Sequence, residues 1–273
     1  MSQKTRARSK RASQSAETET GRAGFPASGC WVNIFNPLVG ELVGLCGYDY
    51  GLIDMEHSPV TVDSALPMIR AVQLGGAKAI VRVPDKQPLW IGRMMDMGAD
   101  GVMVPMVNNA EEALALADAA VYAPEGSRGM AAGIVRASGY GVNTDHYLEN
   151  CRENFMLMLQ MESREALDNV NEIAAVPGID CLFIGPFDLA GSLGNQGQPD
   201  HKITRSAMRT IAKEAKSSDK LLSTLITPKR GAGKLFDEGY DLVFSGMDIA
   251  MLKDALMKDA SRSEVHIAGL GRK

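Results

Sequence analysis

Two neighbouring stretches decide the fold: Met156-Leu157-Met158-Leu159-Gln160-Met161-Glu162-Ser163 and Cys181-Leu182-Phe183-Ile184-Gly185-Pro186-Phe187-Asp188. Each opens on a short aliphatic run with no polar alternation, as a strand buried on both faces requires. Each then turns polar at its C-terminal end. Residues 163–175 between them read as a helix. Two doubly buried strands joined by a helix form a parallel unit.

Working outward, the same alternation recurs. Further strand candidates lie at 31–35, 50–54, 79–83, 102–105, 221–226 and 242–245, which with 156–161 and 181–184 makes eight. Asn36-Pro37 is an N-cap followed by proline at the first helical position, with Leu38, Leu42 and Leu45 on one face and Gly47 as a stop. Asn109-Ala110-Glu111-Glu112 opens another helix, its acids at the positive end of the dipole. Strand–helix alternation repeated eight times predicts an α/β chain folded as a (β/α)8 barrel rather than a doubly wound open sheet. Residues 122–154 are glycine-rich and too long for an ordinary connection, which marks them as a functional-loop candidate.

The chain has 273 residues, 45% hydrophobic and 23% charged, which is ordinary globular usage. No apolar run approaches the roughly 18–20 residues of a membrane span, so no membrane partner is expected. Net charge is −4. Residues 1–28 carry six basic and two acidic residues, leaving −8 for the remainder. An acidic body argues against nucleic acid as a partner. The tail lacks apolar periodicity and reads as disordered. The expected division is a basic tail at 1–28, a barrel at 29–262 and a C-terminal tail at 263–273. Cys30, Cys46, Cys151 and Cys181 show no metal-finger spacing and fit free thiols of a reducing, cytoplasmic compartment.

A barrel carries its active site at the C-terminal ends of its strands. There stand Asp54-Met55-Glu56-His57, Arg82, Gln160 with Glu162, and Asp188. Singly, each has a plain structural reading: His57 a hydrogen-bonded histidine, Arg82 an ion-pair partner, Glu162 and Asp188 helix caps. Together they are hard to explain by folding, because buried charge is costly. Glu162 and Asp188 are two hard oxygen ligands on adjacent strands, suited to Mg²⁺ or Mn²⁺. Arg82 beside them would grip a carboxylate or oxyanion, and His57 would move protons. That set fits enolisation of a 2-oxo acid. A Schiff-base route needs a lysine inside the barrel, and Lys78 and Lys220 stand at strand starts, the wrong end.

Six motifs occur in order: Ile53-Asp54-Met55-Glu56-His57, Val81-Arg82, Val104-Pro105-Met106-Val107, Gly126-Ser127-Arg128-Gly129, Gln160-Met161-Glu162-Ser163-Arg164-Glu165-Ala166 and Ile184-Gly185-Pro186-Phe187-Asp188-Leu189. Over residues 29–260 the chain thereby resembles the HpcH/HpaI aldolases, metal-dependent pyruvate aldolases. The resemblance implies cleavage of a 4-hydroxy-2-oxo acid to pyruvate and an aldehyde. It implies a divalent ion (Mg²⁺, Mn²⁺ or Co²⁺) held at Glu162 and Asp188. It implies pyruvate contacts from Arg82, Gln160, Trp31 and the Gly185-Pro186-Phe187 turn, and a catalytic His57 supported by Asp96 across a subunit boundary. It further implies a homohexamer whose last helix packs on a neighbour. Phe187 departs from the alanine common there. The same enolate would also serve an oxaloacetate decarboxylase or a macrophomate-synthase-like enzyme. An inert scaffold barrel is disfavoured by the retained polar set. Arg128 and Arg136 are candidates for the aldehyde side.

Overall fold

The structure is a computed structural model and describes residues 24–269. Eight parallel strands close into one barrel in sequence order. They are β1 (Ala27–Val32), β2 (Tyr50–Asp54), β3 (Lys78–Arg82), β4 (Gly101–Val104), β5 (Met156–Met161), β6 (Cys181–Ile184), β7 (Leu221–Leu225) and β8 (Leu242–Met247). Around them lie α1 (Pro37–Leu45), α2 (Val62–Leu74), α3 (Leu89–Asp96), α4 (Ala110–Asp118), α5 (Thr144–Asn150), α6 (Arg164–Asp168), α7 (Val170–Ala175), α8 (Pro186–Ser192), α9 (Lys202–Ser217), α10 (Ala232–Asp237) and α11 (Asp248–Gly269). This is the expected (β/α)8 barrel. No described helix is long and apolar enough to cross a membrane.

Alternation along the strands sorts the core into two layers. Ile53, Val81, Val102, Leu157, Leu159 and Leu182 face outward and pack beneath the helices. Leu52, Ile80, Met103, Met158 and Phe183 face inward with Trp31 and Phe244. Aromatics are few, yet three of them meet here. Trp31 lies 5.8 Å from Phe183 and 5.5 Å from Phe244, ring centre to ring centre. Two residues beyond this apolar layer the inward positions turn polar. Leu52 is followed by Asp54, Ile80 by Arg82, and Met158 by Gln160 and then Glu162.

Several elements differ from the sequence reading, each for a local reason. Strand β1 starts at Ala27, inside the expected tail, and ends at Val32. The N–H groups of Asn33 and Ile34 leave the ladder for the Asp248 carboxylate, at 2.9 Å each. Most of the basic tail lies outside the described residues, and α11 continues past 262. The helix expected at 163–175 divides into α6 and α7 at Asn169, whose side chain donates to the Asn108 carbonyl at 2.9 Å. Helix α1 begins as expected, with Asn36 accepting from Leu38 N at 3.0 Å. Its leucine face, however, is exposed, and Gly40, Val43 and Gly44 are buried instead. A Cβ on Gly44 would come 2.5 Å from the Gly75 carbonyl carbon, so α1 approaches the end of α2 where only glycine fits.

Gly29 is held to the same standard inside the barrel, where a Cβ would run into the Phe244 ring. Gly29→Ala should cost about 1–3 kcal/mol by overpacking. Combining it with Phe244→Leu should recover part of that loss, read as thermal midpoints of the three proteins.

Candidate active site

The C-terminal ends of the strands enclose a cavity of about 230 Å³. A larger hollow, about 650 Å³, opens at the strand starts among Asp49, Lys78, Asp100 and Asp180. The chemistry gathers in the smaller one.

Its deepest polar group is Asp54, fully buried at the end of β2. In the β2–β3 register Asp54 stands directly beside Arg82. Arg82 donates through Nε to Oδ1 at 2.9 Å and through Nη2 to Oδ2 at 2.7 Å, the bidentate fork that suits a carboxylate. The Trp31 indole donates to Oδ2 at 3.2 Å and the Asn33 amide at 2.8 Å. The backbone N–H groups of Glu56 and His57 donate to Oδ1 at 3.0 and 3.2 Å. Burial alone would push this carboxyl up. The hydrogen bonds and charge of Arg82, with the His57 N–H and the indole, outweigh it and hold Asp54 below the usual carboxylate range.

Arg82 is thereby immobilised. Its Nη1 meets Glu56 Oε2 at 2.8 Å, and its guanidinium lies 4.7 Å from the Trp31 ring centre. Of the five N–H donors of a guanidinium, two are hydrogen-bonded to Asp54, while Nη1 only forms an ion pair with Glu56, and Arg82 lines the cavity. Burial lifts the Glu56 carboxyl above its ordinary range against the pull of Arg82.

Glu162 stands opposite in character. Its Oε1 accepts from Met106 N at 3.0 Å and its Oε2 from Gln160 Nε2 at 2.8 Å. No cation pairs with it among the described residues. Burial, then the charge of Asp188, push its carboxyl up to about 7. Asp188 sits in the first turn of α8, which Gly185 and Pro186 open. A Cβ on Gly185 would come 2.5 Å from Glu162 Oε2, so glycine keeps space at that oxygen. The Gln160 Oε1 acceptor is buried and unpartnered. Each Glu162 oxygen keeps a lone pair, and the donor set is hard oxygen, which fits a divalent ion. Among the described residues no group of three histidines, cysteines or acids could hold a metal, so an ion held by Glu162 and Asp188 would take its other ligands from water and substrate.

His57 lines the cavity with its side chain largely exposed, Nε2 3.7 Å from Glu56 Oε1. Trp31, Gln160, Gly185, Pro186 and Phe187 line it as well. Asp96 is not brought to His57 within the chain. At the end of α3 its Oδ1 receives Arg128 Nη2 at 2.6 Å. Arg128 is packed between Tyr122 and Tyr147, and Arg136 binds the carbonyls of Met97 and Gly98. Both arginines hold the long 122–154 connection in place, and neither lines the cavity. The sequence reading places Asp54 and Glu56 at the mouth but assigns a role to neither, and the structure puts both on Arg82. For Asp54 the signal was its inward parity with Leu52 and its alignment with Arg82.

The HpcH/HpaI aldolase/citrate lyase family matches residues 27–255. The hydroxypyruvate/pyruvate aldolase of Chromohalobacter salexigens is 34% identical over 234 residues, covering 86% of this chain and 92% of that one. The 5-keto-4-deoxy-D-glucarate aldolase of Shigella boydii is 33% identical over 230 residues, covering 84% and 89%. The crystal structure of an HpcH/HpaI aldolase/citrate lyase family protein from Burkholderia cenocepacia superposes with a TM-score of 0.82 at 30% identity, covering 88% and 95%. The chain belongs to the HpcH/HpaI aldolase/citrate lyase family.

The two carboxylates should answer pH in opposite senses. Asp54 has a depressed folded pKa, so its contribution is complete above about pH 4 and is lost as pH falls through the folded value. Asp54→Asn should destabilise the neutral protein by about 3–5 kcal/mol, because it breaks a buried ion pair and leaves Arg82 with Glu56 alone. Glu162 has a raised folded pKa, so the metal-free protein loses stability as pH rises from about 4.5 towards about 7. The full penalty, up to about 3 kcal/mol, is present above that. Glu162→Gln should therefore raise the melting temperature of metal-free protein at pH 8 relative to its effect at pH 4. Equal effects at both pH values would contradict this.

Proposed function

We propose that this enzyme reversibly cleaves a 4-hydroxy-2-oxo acid to pyruvate and an aldehyde, using a divalent cation (Mg²⁺, Mn²⁺ or Co²⁺) held by Glu162 and Asp188. The observation that carries the reading is a buried Glu162, unpaired with any cation among the described residues, lying against the Gly185 turn that leads into Asp188, with a clamped Arg82 lining the cavity beside that turn. Bound there, the ion would act as a Lewis acid on the ketone and carboxylate oxygens of the 2-oxo acid.

The chain's own groups do the rest. The N–H donors of Arg82 that Asp54 does not occupy meet the oxygen on which negative charge develops. Because Asp54 and Glu56 fix the guanidinium beforehand, this stabilisation needs no reorganisation during reaction. The Gln160 amide and the Gly185-Pro186-Phe187 turn bound the pyruvate end. At the open mouth, the His57 imidazole takes the proton of the C4 hydroxyl as the C3–C4 bond breaks. The bond's electron pair passes to the enolate of pyruvate, and the aldehyde leaves. Return of a proton to C3 completes pyruvate.

Self-association fits the surface. Leu38, Leu42 and Leu45 on α1 and Ile249, Leu252, Leu256 and Met257 on α11 are exposed, and we assign this apolar surface to a homohexamer in which α11 packs on a neighbour. In that assembly a neighbour's Asp96 would support His57. The second Asp96 oxygen has no partner among the described residues. The four free cysteines favour a reducing cytoplasm.

Exchange of pyruvate methyl protons for deuterium, followed by NMR, tests the reading without a choice of aldehyde. Exchange should require added Mg²⁺ or Mn²⁺, stop with EDTA, and fall at least a hundredfold in Glu162→Ala. Exchange that survives EDTA would sink the cation site and point to an imine. Release of CO2 from oxaloacetate as the faster reaction, with no aldehyde required, would favour decarboxylation over aldol cleavage.

A further inference from the structure

A second cavity, about 310 Å³, lies outside the barrel. Helix α9 presents Arg205, Met208, Arg209 and Ala212 to it, the spacing of a single helical face. Opposite stand Arg230, in the turn after β7, with Glu238 and Tyr240 beyond α10. Arg230 is nine-tenths buried. Its Nη2 pairs with the Glu238 carboxylate, its Nη1 lies 3.3 Å from the Met208 sulfur, and its guanidinium stands 5.7 Å from the Tyr240 ring centre.

The Arg230–Glu238 pair alone would be a structural pin. It does not account for Arg205 and Arg209. Neither side chain has a hydrogen bond or ion pair among the described residues. They are like charges one turn apart, which repel. They also follow Lys202 in the first half of α9, near the positive end of its dipole, and the first turn carries no acid. Three guanidiniums therefore face one carboxylate around a walled cavity, in a chain that is acidic as a whole. The Nε of Arg230 is buried without a partner as well.

We propose that this cavity binds a small, multiply charged anion, a phosphate group or a di- or tricarboxylate. Arg205 and Arg209 close over it with their planar forks, and Arg230 supplies the fixed charge of the floor. The volume admits a phosphate monoester or a small dicarboxylate. The Arg230 turn follows β7, whose last residue, Leu225, lines the substrate cavity. Asp200 braces the same turn by accepting from Thr227 Oγ1 at 2.7 Å and from Lys229 N at 3.1 Å. The site is separate from Arg82, and the inference does not depend on the aldolase reading.

The full chain would be titrated with inorganic phosphate, pyrophosphate, succinate and citrate at ionic strength held constant with chloride, read by calorimetry and thermal shift. At least one anion should bind saturably. The phosphate and carboxylate series distinguish the two sources of charge. Arg205→Gln/Arg209→Gln should weaken that binding at least tenfold, and Arg209→Glu should abolish it. Both sites lie on a partly exposed helix face, so circular dichroism should show the variants folded. Absence of saturable binding by any of the four, or binding undiminished in the folded double variant, would overturn the proposal.

Discussion

Six N–H groups converge on the buried Asp54 carboxylate, from Trp31, Asn33, the backbone of Glu56 and His57, and Arg82 twice. A carboxylate has about four lone-pair sites, so this one is saturated. Its donors come from the end of β1, the turn after β2 and the end of β3, so one charge fixes three neighbouring strand ends. The aromatic layer beneath depends on it, because the indole that donates to Asp54 also packs against Phe183 and Phe244. The guanidinium above depends on it too. Without Asp54, Arg82 would keep only Glu56 as a counter-ion, at the solvent edge of the site.

Across the mouth the same residue chemistry meets the opposite surroundings. Glu162 is nearly as buried as Asp54, yet it receives only two neutral donors and faces another acid in Asp188. One carboxylate is held ionised by a protein cation, and the other is left short of one. The barrel makes this division possible by giving each strand end a separate side chain in a shared, poorly solvated space. A fold without converging strand ends would have to place such unlike carboxylates on one loop.

Much of this was legible from the residues. Doubly apolar strands of correct length fix a parallel barrel, and polar groups at their C-terminal ends mark the mouth. The strands at 50–54, 156–161 and 181–184 match residue for residue. What escaped was set by tertiary contact. The leucines of α1 look like a core face, but glycines that permit close helix approach reverse the burial. The break at Asn169 follows from a hydrogen bond to a carbonyl 61 residues away. Arg128 and Arg136 look like mouth residues because they lie in a long glycine-rich connection. Their partners, Asp96 and the end of α3, become visible only once that connection is folded.

Phe187 sets the character of one side of the mouth. It follows Pro186 in the turn that carries Asp188, and it remains partly exposed at the cavity with Leu225 and Met247 beside it. The mouth is therefore two-sided. Charged and amide groups crowd the wall formed by β2, β3 and β5, and apolar side chains form the wall towards β7 and β8. A ligand held at the charged wall would lay its other end along Phe187. An extended, highly charged tail on that side would meet Phe187, Leu225 and Met247 rather than a cation. The polar wall and the bulky turn at Phe187 therefore present two different chemistries to any one ligand in the mouth.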